Sequence, residues 1–139
     1  MLDFRLLALD SGLWTPDMFI ERHSVSLTTA ADGSATGFTP NVTGRVLFIR
    51  YLKTDFDNGV DLTITTEAHA QTILTLTDQN ASGNFLPRLP THDETGAEAL
   101  YAAAGAKVRE AAPVVNDRVK VVVAQGGNVK TGTIIVFVG

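Results

Sequence analysis

The last stretch of the chain, Asp117–Val138, constrains the fold most: it reads DRVKVVVA, then QGGNVK, then TGTIIVFV. Val119, Val121 and Val123 alternate with Arg118, Lys120 and Val122 at the two-residue period of a strand. On the far side of the glycines, Ile134, Val136 and Val138 alternate with Thr133, Ile135 and Phe137. Folding about Gly126-Gly127-Asn128 predicts a β-hairpin with Val121 opposite Ile134 and Val119 opposite Val136, so that both apolar sets share one face. The second face then sets Arg118 and Lys120 beside Ile135 and Phe137. That mixture is too apolar for an ordinary solvated face. It leaves three options: cover by another part of the chain, contact with another subunit, or exposure.

Upstream, the same period recurs. His23, Val25, Leu27 and Thr29 share one side of a strand whose other side carries Arg22, Ser24, Ser26 and Thr28. Ala31–Ser34 reads as a turn before a short strand over Ala35–Phe38. In Arg45–Lys53, Val46, Phe48 and Leu52 fall on one face and Leu47, Ile49 and Tyr51 on the other, the pattern of a central strand covered on both sides. Asp57-Asn58-Gly59 is a turn signal. Val60, Leu62 and Ile64 then point inward, with Asp61, Thr63 and Thr65 outward. Gln71–Thr77 is a further strand, and Pro87 and Pro90 restrict Phe85–Leu89 to an edge. Thr95 and Glu98 have the spacing of a capping box, which predicts a short helix ending at Gly105. A strand over Lys107–Ala111 follows, stopped by Pro113. The expectation is an all-β fold: an antiparallel β-sandwich, jelly-roll or immunoglobulin-like. It has about seven or eight strands and at most one short helix.

The chain divides into an N-terminal arm over residues 1–21 and a single β-sandwich domain over residues 22–139. The arm is strongly apolar, with Leu6, Leu7, Leu13, Trp14 and Phe19 prominent, yet Asp10-Ser11-Gly12 and Pro16 break it into short pieces. It reads either as cover for its own core or as a segment that docks on a neighbouring subunit or partner, with Trp14, the one tryptophan, as anchor.

Chemistry is sparse. The absence of cysteine removes disulfides, thiolate catalysis and cysteine-based metal sites. Fifteen acidic and eleven basic residues give a net charge of −4, the wrong sign for non-specific nucleic-acid binding. No run approaches the roughly 18–20 apolar residues of a membrane span. MLDFRLLALDSGLW lacks the basic start and long apolar run of a signal peptide, so synthesis in a cytoplasm is expected. Asp55, Asp57, Asn58 and Asp61 resemble a calcium loop, but Gly59 stands at the fifth position and Thr66 at the twelfth, where such a loop needs a ligand and a glutamate. A hairpin turn with solvated carboxylates is the expectation there. His23, His69 and His92 have no metal-ligand spacing, and no serine sits in a nucleophile elbow. Neither an enzyme nor a cofactor is expected.

Three phrases carry a resemblance: RHSVSLTTAADGSATGFTPNVTGRVLFIRYLKTDFDNGVDLTITTEA, LPRLPTHDETGAEALYAAAGAKV and NDRVKVVVAQGGNVKTGTIIVFVG. Over roughly residues 22–139 the chain resembles a family of small structural proteins of tailed bacteriophages and prophages. The resemblance implies a virion component, most readily a capsid cement or decoration protein made in the host bacterial cytoplasm. It implies the major capsid protein as partner, a homo-oligomer with a trimer favoured, and neither nucleic acid nor membrane as a target. The candidate contact residues are Leu6, Leu7, Leu13, Trp14 and Phe19 in the arm, with Arg118, Lys120, Ile135 and Phe137 in the C-terminal stretch. The alternative is a host- or carbohydrate-binding β-sandwich module of a tail, fibre or head–tail joint, for which Trp14, Tyr51, Tyr101 and the phenylalanines are the available aromatics.

Overall fold

The computed structural model describes residues 19–139. Ten strands follow one another: β1 Glu21–Thr28, β2 Ala35–Phe38, β3 Val42–Lys53, β4 Asp61–Thr66, β5 Thr72–Leu76, β6 Gly83–Phe85, β7 Arg88–Pro90, β8 Arg109–Asp117, β9 Val119–Ala124 and β10 Thr131–Val138. They form two antiparallel sheets. The larger has the order β1-β10-β3-β8-β7, with β6 also pairing β3, and the smaller has the order β2-β9-β4-β5. The described chain is an all-β sandwich.

The C-terminal stretch is not a hairpin. β9 pairs with β2 and β4 in one sheet, whereas β10 pairs with β1 and β3 in the other. Its alternation is nevertheless as expected: Val119, Val121 and Val123 are fully buried, as are Ile134 and Val136. Two apolar faces meet equally well side by side in one sheet or face to face across a sandwich, about 10 Å apart. Periodicity alone does not separate the two. The loop, residues 125–130, is longer than the two-residue turns that favour hairpins, which permits a crossing between sheets without requiring it. With left-handed backbone at Gln125, Gly127 and Val129, it swings from one sheet to the other.

Bulges account for a second departure. In β3, Phe48 pairs with Phe137 but Val46 with Val138, so Leu47 is an extra residue and the side-chain alternation shifts there. Val46, Ile49 and Tyr51 therefore all enter the core, while Phe48 and Leu52 lie half-buried on the outer face with exposed Arg50 between them. β4 matches expectation, with Val60, Leu62 and Ile64 fully buried. β8 runs through Pro113, which pairs with Arg45, instead of stopping there. β7 flanks β8 only along Arg109–Ala111, so the missing N–H of Pro113 removes no bond on that side.

Tyr51, Phe56, Ile49, Leu62, Ile64 and Ile134 are the largest fully buried side chains, with Tyr51 and Phe56 stacked at 6.5 Å between ring centroids. Burying a residue of this size contributes about 1.5–3 kcal/mol. One flank closes tightly because the edge strands β1 and β2 press together. A Cβ at Gly37 would sit 2.5 Å from Val25 Cγ1 and 2.8 Å from Leu27 Cδ2. On the opposite flank the edges are β5 and the very short β7.

Candidate interaction surfaces

The expected helix after Thr95 does not form. Residues 91–108 instead build a flap between β7 and β8, held by bridges pairing His92 with Glu98 and Leu100 with Lys107. The reason lies in Asp93, whose Oδ1 accepts from the Thr95 amide at 2.8 Å, the Thr95 hydroxyl at 2.7 Å and the Ala97 amide at 3.1 Å. Such side-chain bonds offer the backbone a turn in place of a helical start. Glu98 reaches Lys107 at 2.8 Å rather than back towards Thr95. Gly96 and Ala104 both take positive φ, which ends any helix between them. Apart from Thr91, Ala99 and Val108, every residue of the flap is exposed. Tyr101 is 75% and Leu100 43% exposed, on a run otherwise made of alanines. At the flap's base, Leu89, Pro90, Ala111 and Pro113 line an open groove of about 410 Å³ whose polar rim includes Arg45, Gln71, His92 and Glu110.

The contact residues expected on one hairpin face occupy two opposite surfaces. Arg118 and Lys120 lie on the outer side of the smaller sheet, with the Arg118 guanidinium 4.0 Å over the Phe38 ring. Both of its nitrogens Nε and Nη2 donate to the Glu67 carboxylate, a bidentate pair that holds this carboxyl below its ordinary range. Lys120 stands in register between Phe38 and Thr65, and a row of Thr36, Val122, Thr63 and Thr75 runs beside it. Ile135 and Phe137 lie on the outer side of the larger sheet. Phe137 meets Phe48 edge-to-face at 5.5 Å between centroids, and Ile135 pairs with Arg50. Phe19 is 57% exposed just ahead of β1. Leu6, Leu7, Leu13 and Trp14 lie outside the described residues.

The acidic stretch Asp55–Asp61 is not a hairpin turn but a crossover between the sheets, and its side chains tie loops together. Asp55 Oδ1 accepts from the Thr131 amide at 2.6 Å and hydroxyl at 3.0 Å. Asp61 accepts from the Asp78 amide at 2.9 Å and from Gln125 Nε2 at 3.1 Å. Thr29, 3% exposed, donates to the Gly127 carbonyl at 2.6 Å and accepts from the Lys130 amide at 2.8 Å. The Gly126 carbonyl accepts from the Asp57 amide at 3.0 Å. Gln125–Lys130 is thus the knot of one end of the sandwich. At the other end the buried Asp117 carboxylate accepts from the amides of Ala68, His69 and Arg118. Of the histidines, His23 contacts Glu21 at 3.0 Å, His92 sits in the flap, and only the backbone of His69 reaches Asp117. Among the described residues no group of three or more His, Asp or Glu converges as a metal site, and no helix is long and apolar enough to cross a membrane.

These bonds predict an acid-labile fold. Burial raises the Asp117 carboxyl, but the amides of Ala68, Arg118 and His69 outweigh it and the net shift is downward. Hydrogen bonds from Ser34, Thr131, Thr95 and Lys107 likewise lower Asp32, Asp55, Asp93 and Glu98. A carboxyl lowered on folding contributes stability above its unfolded pKa, and the contribution is lost as pH falls through the folded value. The melting temperature should therefore be level from about pH 7 to 5 and fall below about pH 4. Thermal melts across that range check it, and Asp117→Asn should lower the plateau and make the acid limb shallower.

No protein-family model, curated protein or solved structure matches this chain.

Proposed function

We propose that this protein is a non-enzymatic virion component, a capsid decoration protein that binds the outer surface of a phage head. The observation that carries the reading is the flap. An ordered excursion of the sandwich holds Leu100, Tyr101 and a run of alanines in solvent, where they add nothing to the core. Apolar side chains presented on a rigid support suit an interface, and small residues around an aromatic anchor let a partner backbone approach closely. The resemblance over residues 22–139 names the partner class, the major capsid protein, and favours a trimer. Multivalent attachment through several copies then strengthens the shell without new contacts in any one copy.

The carbohydrate-binding alternative wants a platform of exposed aromatics. Tyr101 and Phe38 are on different elements, the flap and β2, and Phe38 is already stacked under Arg118. Catalysis is not favoured either, because the carboxylates of Asp55, Asp61, Glu67, Asp93 and Asp117 are committed to hydrogen bonds that hold loops.

Co-sedimentation of the purified protein with empty heads of the phage that encodes it tests the proposal. The protein should pellet with the heads at a saturating, stoichiometric ratio and raise their resistance to heat. A protein that stays in the supernatant at all head concentrations, or that is retained by a glycan column instead, sinks the reading.

A further inference from the structure

Asn58 is the one asparagine in the sequence that is followed by glycine, and it lies in the crossover from β3 to β4. The pair is chemically significant, because a glycine nitrogen carries no neighbouring side chain to hinder its attack on the amide before it. In this fold both reacting groups are held. Asn58 is exposed, and its Oδ1 accepts from Lys53 Nζ at 3.1 Å. Gly59, at φ +89°, donates its amide to Asn80 Oδ1 at 2.7 Å. Two further bonds lace the loop after β5 to the same crossover: Lys53 Nζ to the Asn80 carbonyl at 3.1 Å, and the Lys53 amide to Ser82 Oγ at 3.0 Å.

We propose that Asn58-Gly59 is a self-modification site, at which Asn58 converts to aspartate and isoaspartate, and that Asn80 holds the reaction back. In the first step hydroxide from solvent takes the Gly59 amide proton, and the nitrogen attacks Cγ of Asn58. The new N–C bond closes a cyclic imide as the bond from Cγ to the side-chain nitrogen breaks, and that nitrogen leaves as ammonia with a proton from water. Water then opens the ring at either carbonyl. Attack at one gives aspartate on an unchanged backbone, and attack at the other gives isoaspartate, with the main chain running through the former side chain. None of this can start while the Gly59 N–H points at Asn80 Oδ1. The reaction therefore draws on the fraction of molecules in which that bond is open. The two products act differently on the crossover. Aspartate would set a carboxylate against the Lys53 ammonium, a stronger contact than the present one. Isoaspartate adds a backbone carbon ahead of Gly59, draws it out of register with Asn80 and loosens that end of the sandwich. Both add a negative charge to a stretch that already holds Asp55, Asp57 and Asp61.

The inference concerns the isolated chain and stands or falls apart from the virion reading. The full-length protein is aged at mildly alkaline pH beside a free peptide of residues 54–63. Peptide mapping by mass spectrometry follows the amide-to-acid mass gain at each asparagine. Asn58 should convert several-fold more slowly in the protein than in the peptide. Asn80→Ala leaves the Asn80 carbonyl bond to Lys53 in place and removes only the acceptor for Gly59. It should speed conversion by roughly two- to tenfold, the factor that one hydrogen bond is worth. Asn80→Asp keeps an acceptor and should restore the native rate. Asn128, exposed and followed by valine, reports general loosening and should convert at one rate in all three proteins. Should Asn80→Ala misfold, hydrogen exchange at the Gly59 amide of the native protein decides, and slow exchange is expected. Conversion in the protein as fast as in the peptide overturns the proposal. So does an unchanged rate in folded Asn80→Ala, an equal acceleration at Asn128, or Gly59 exchange at the free-peptide rate.

Discussion

Gly132→Ala is expected to destabilise the protein by about 1–3 kcal/mol, a large share of the roughly 5–15 kcal/mol typical of a domain. Gly132 lies on the inner side of β10, paired with Lys53 on one flank and Leu27 on the other. A Cβ there would stand 2.8 Å from Phe56 Cδ2 and 2.9 Å from Cζ, and closer still to Cε2. Phe56 cannot swing aside cheaply. It is 2% exposed, and its ring is stacked on Tyr51, which is fully buried in the core. The glycine is therefore required by close approach of an aromatic ring, not by its own backbone conformation. The distinction can be measured. In a Phe56→Leu background the added methyl meets a smaller side chain, so the penalty of Gly132→Ala should shrink by about 1 kcal/mol or more. Chemical denaturation of the four proteins of that cycle gives the coupling. Purely additive effects would show that the clash with Phe56 is not what fixes the glycine.

That contact also marks how much of the fold was legible in the sequence. Strand parity was readable wherever one side of a strand was uniformly apolar, as in Val25 and Leu27 of β1 or Leu62 and Ile64 of β4. The inward set of the C-terminal stretch was readable for the same reason. The pairing of that stretch was not, because Val121 and Ile134 bury equally well as neighbours in a sheet or as partners across the sandwich. Only long-range contacts decide between them, such as Thr29 with Gly127 and Lys130 or Asp55 with Thr131. The parity of β3 failed at Leu47, since a bulge of one residue moves every later side chain to the other face and leaves no mark in composition.

The candidate site was less legible. Arg118 and Lys120 joined Ile135 and Phe137 only through the assumed hairpin, and the crossing of residues 125–130 between the sheets places the two pairs on opposite surfaces. The flap was hidden by its own composition. Ala97, Leu100, Tyr101 and Ala104 have helical spacing, but a helix that short draws its stability from packing an apolar face, and all four of these residues are exposed. A cue was present in Asp93, two residues before Thr95 and four before Ala97, which favours a side-chain-capped turn. The groove at the base of the flap joins residues from Arg45 to Pro113 and has no local signal at all.

If the flap is the attachment element, its two large apolar side chains should dominate the affinity for the head. Leu100 and Tyr101 are exposed, and neither contributes to the core, so the double substitution Leu100→Asp/Tyr101→Asp should leave melting temperature and circular dichroism unchanged. At the interface the same change would bury two carboxylates where an apolar pair had been. Anchors of this kind are typically worth about 2 kcal/mol or more each, and burying a carboxylate without a partner adds to the loss. Together the two losses come to about 4 kcal/mol or more, so affinity should fall by roughly several hundredfold or more. A control at the other surface, Lys120→Asp on the outer side of the smaller sheet, should have far less effect. The decisive measurement is a binding isotherm on empty heads for the native protein and the flap variant, side by side at fixed salt. The account predicts saturable binding by the native protein and a loss of roughly several hundredfold or more in the variant. Equal binding by a folded flap variant, or no binding by either, would contradict it.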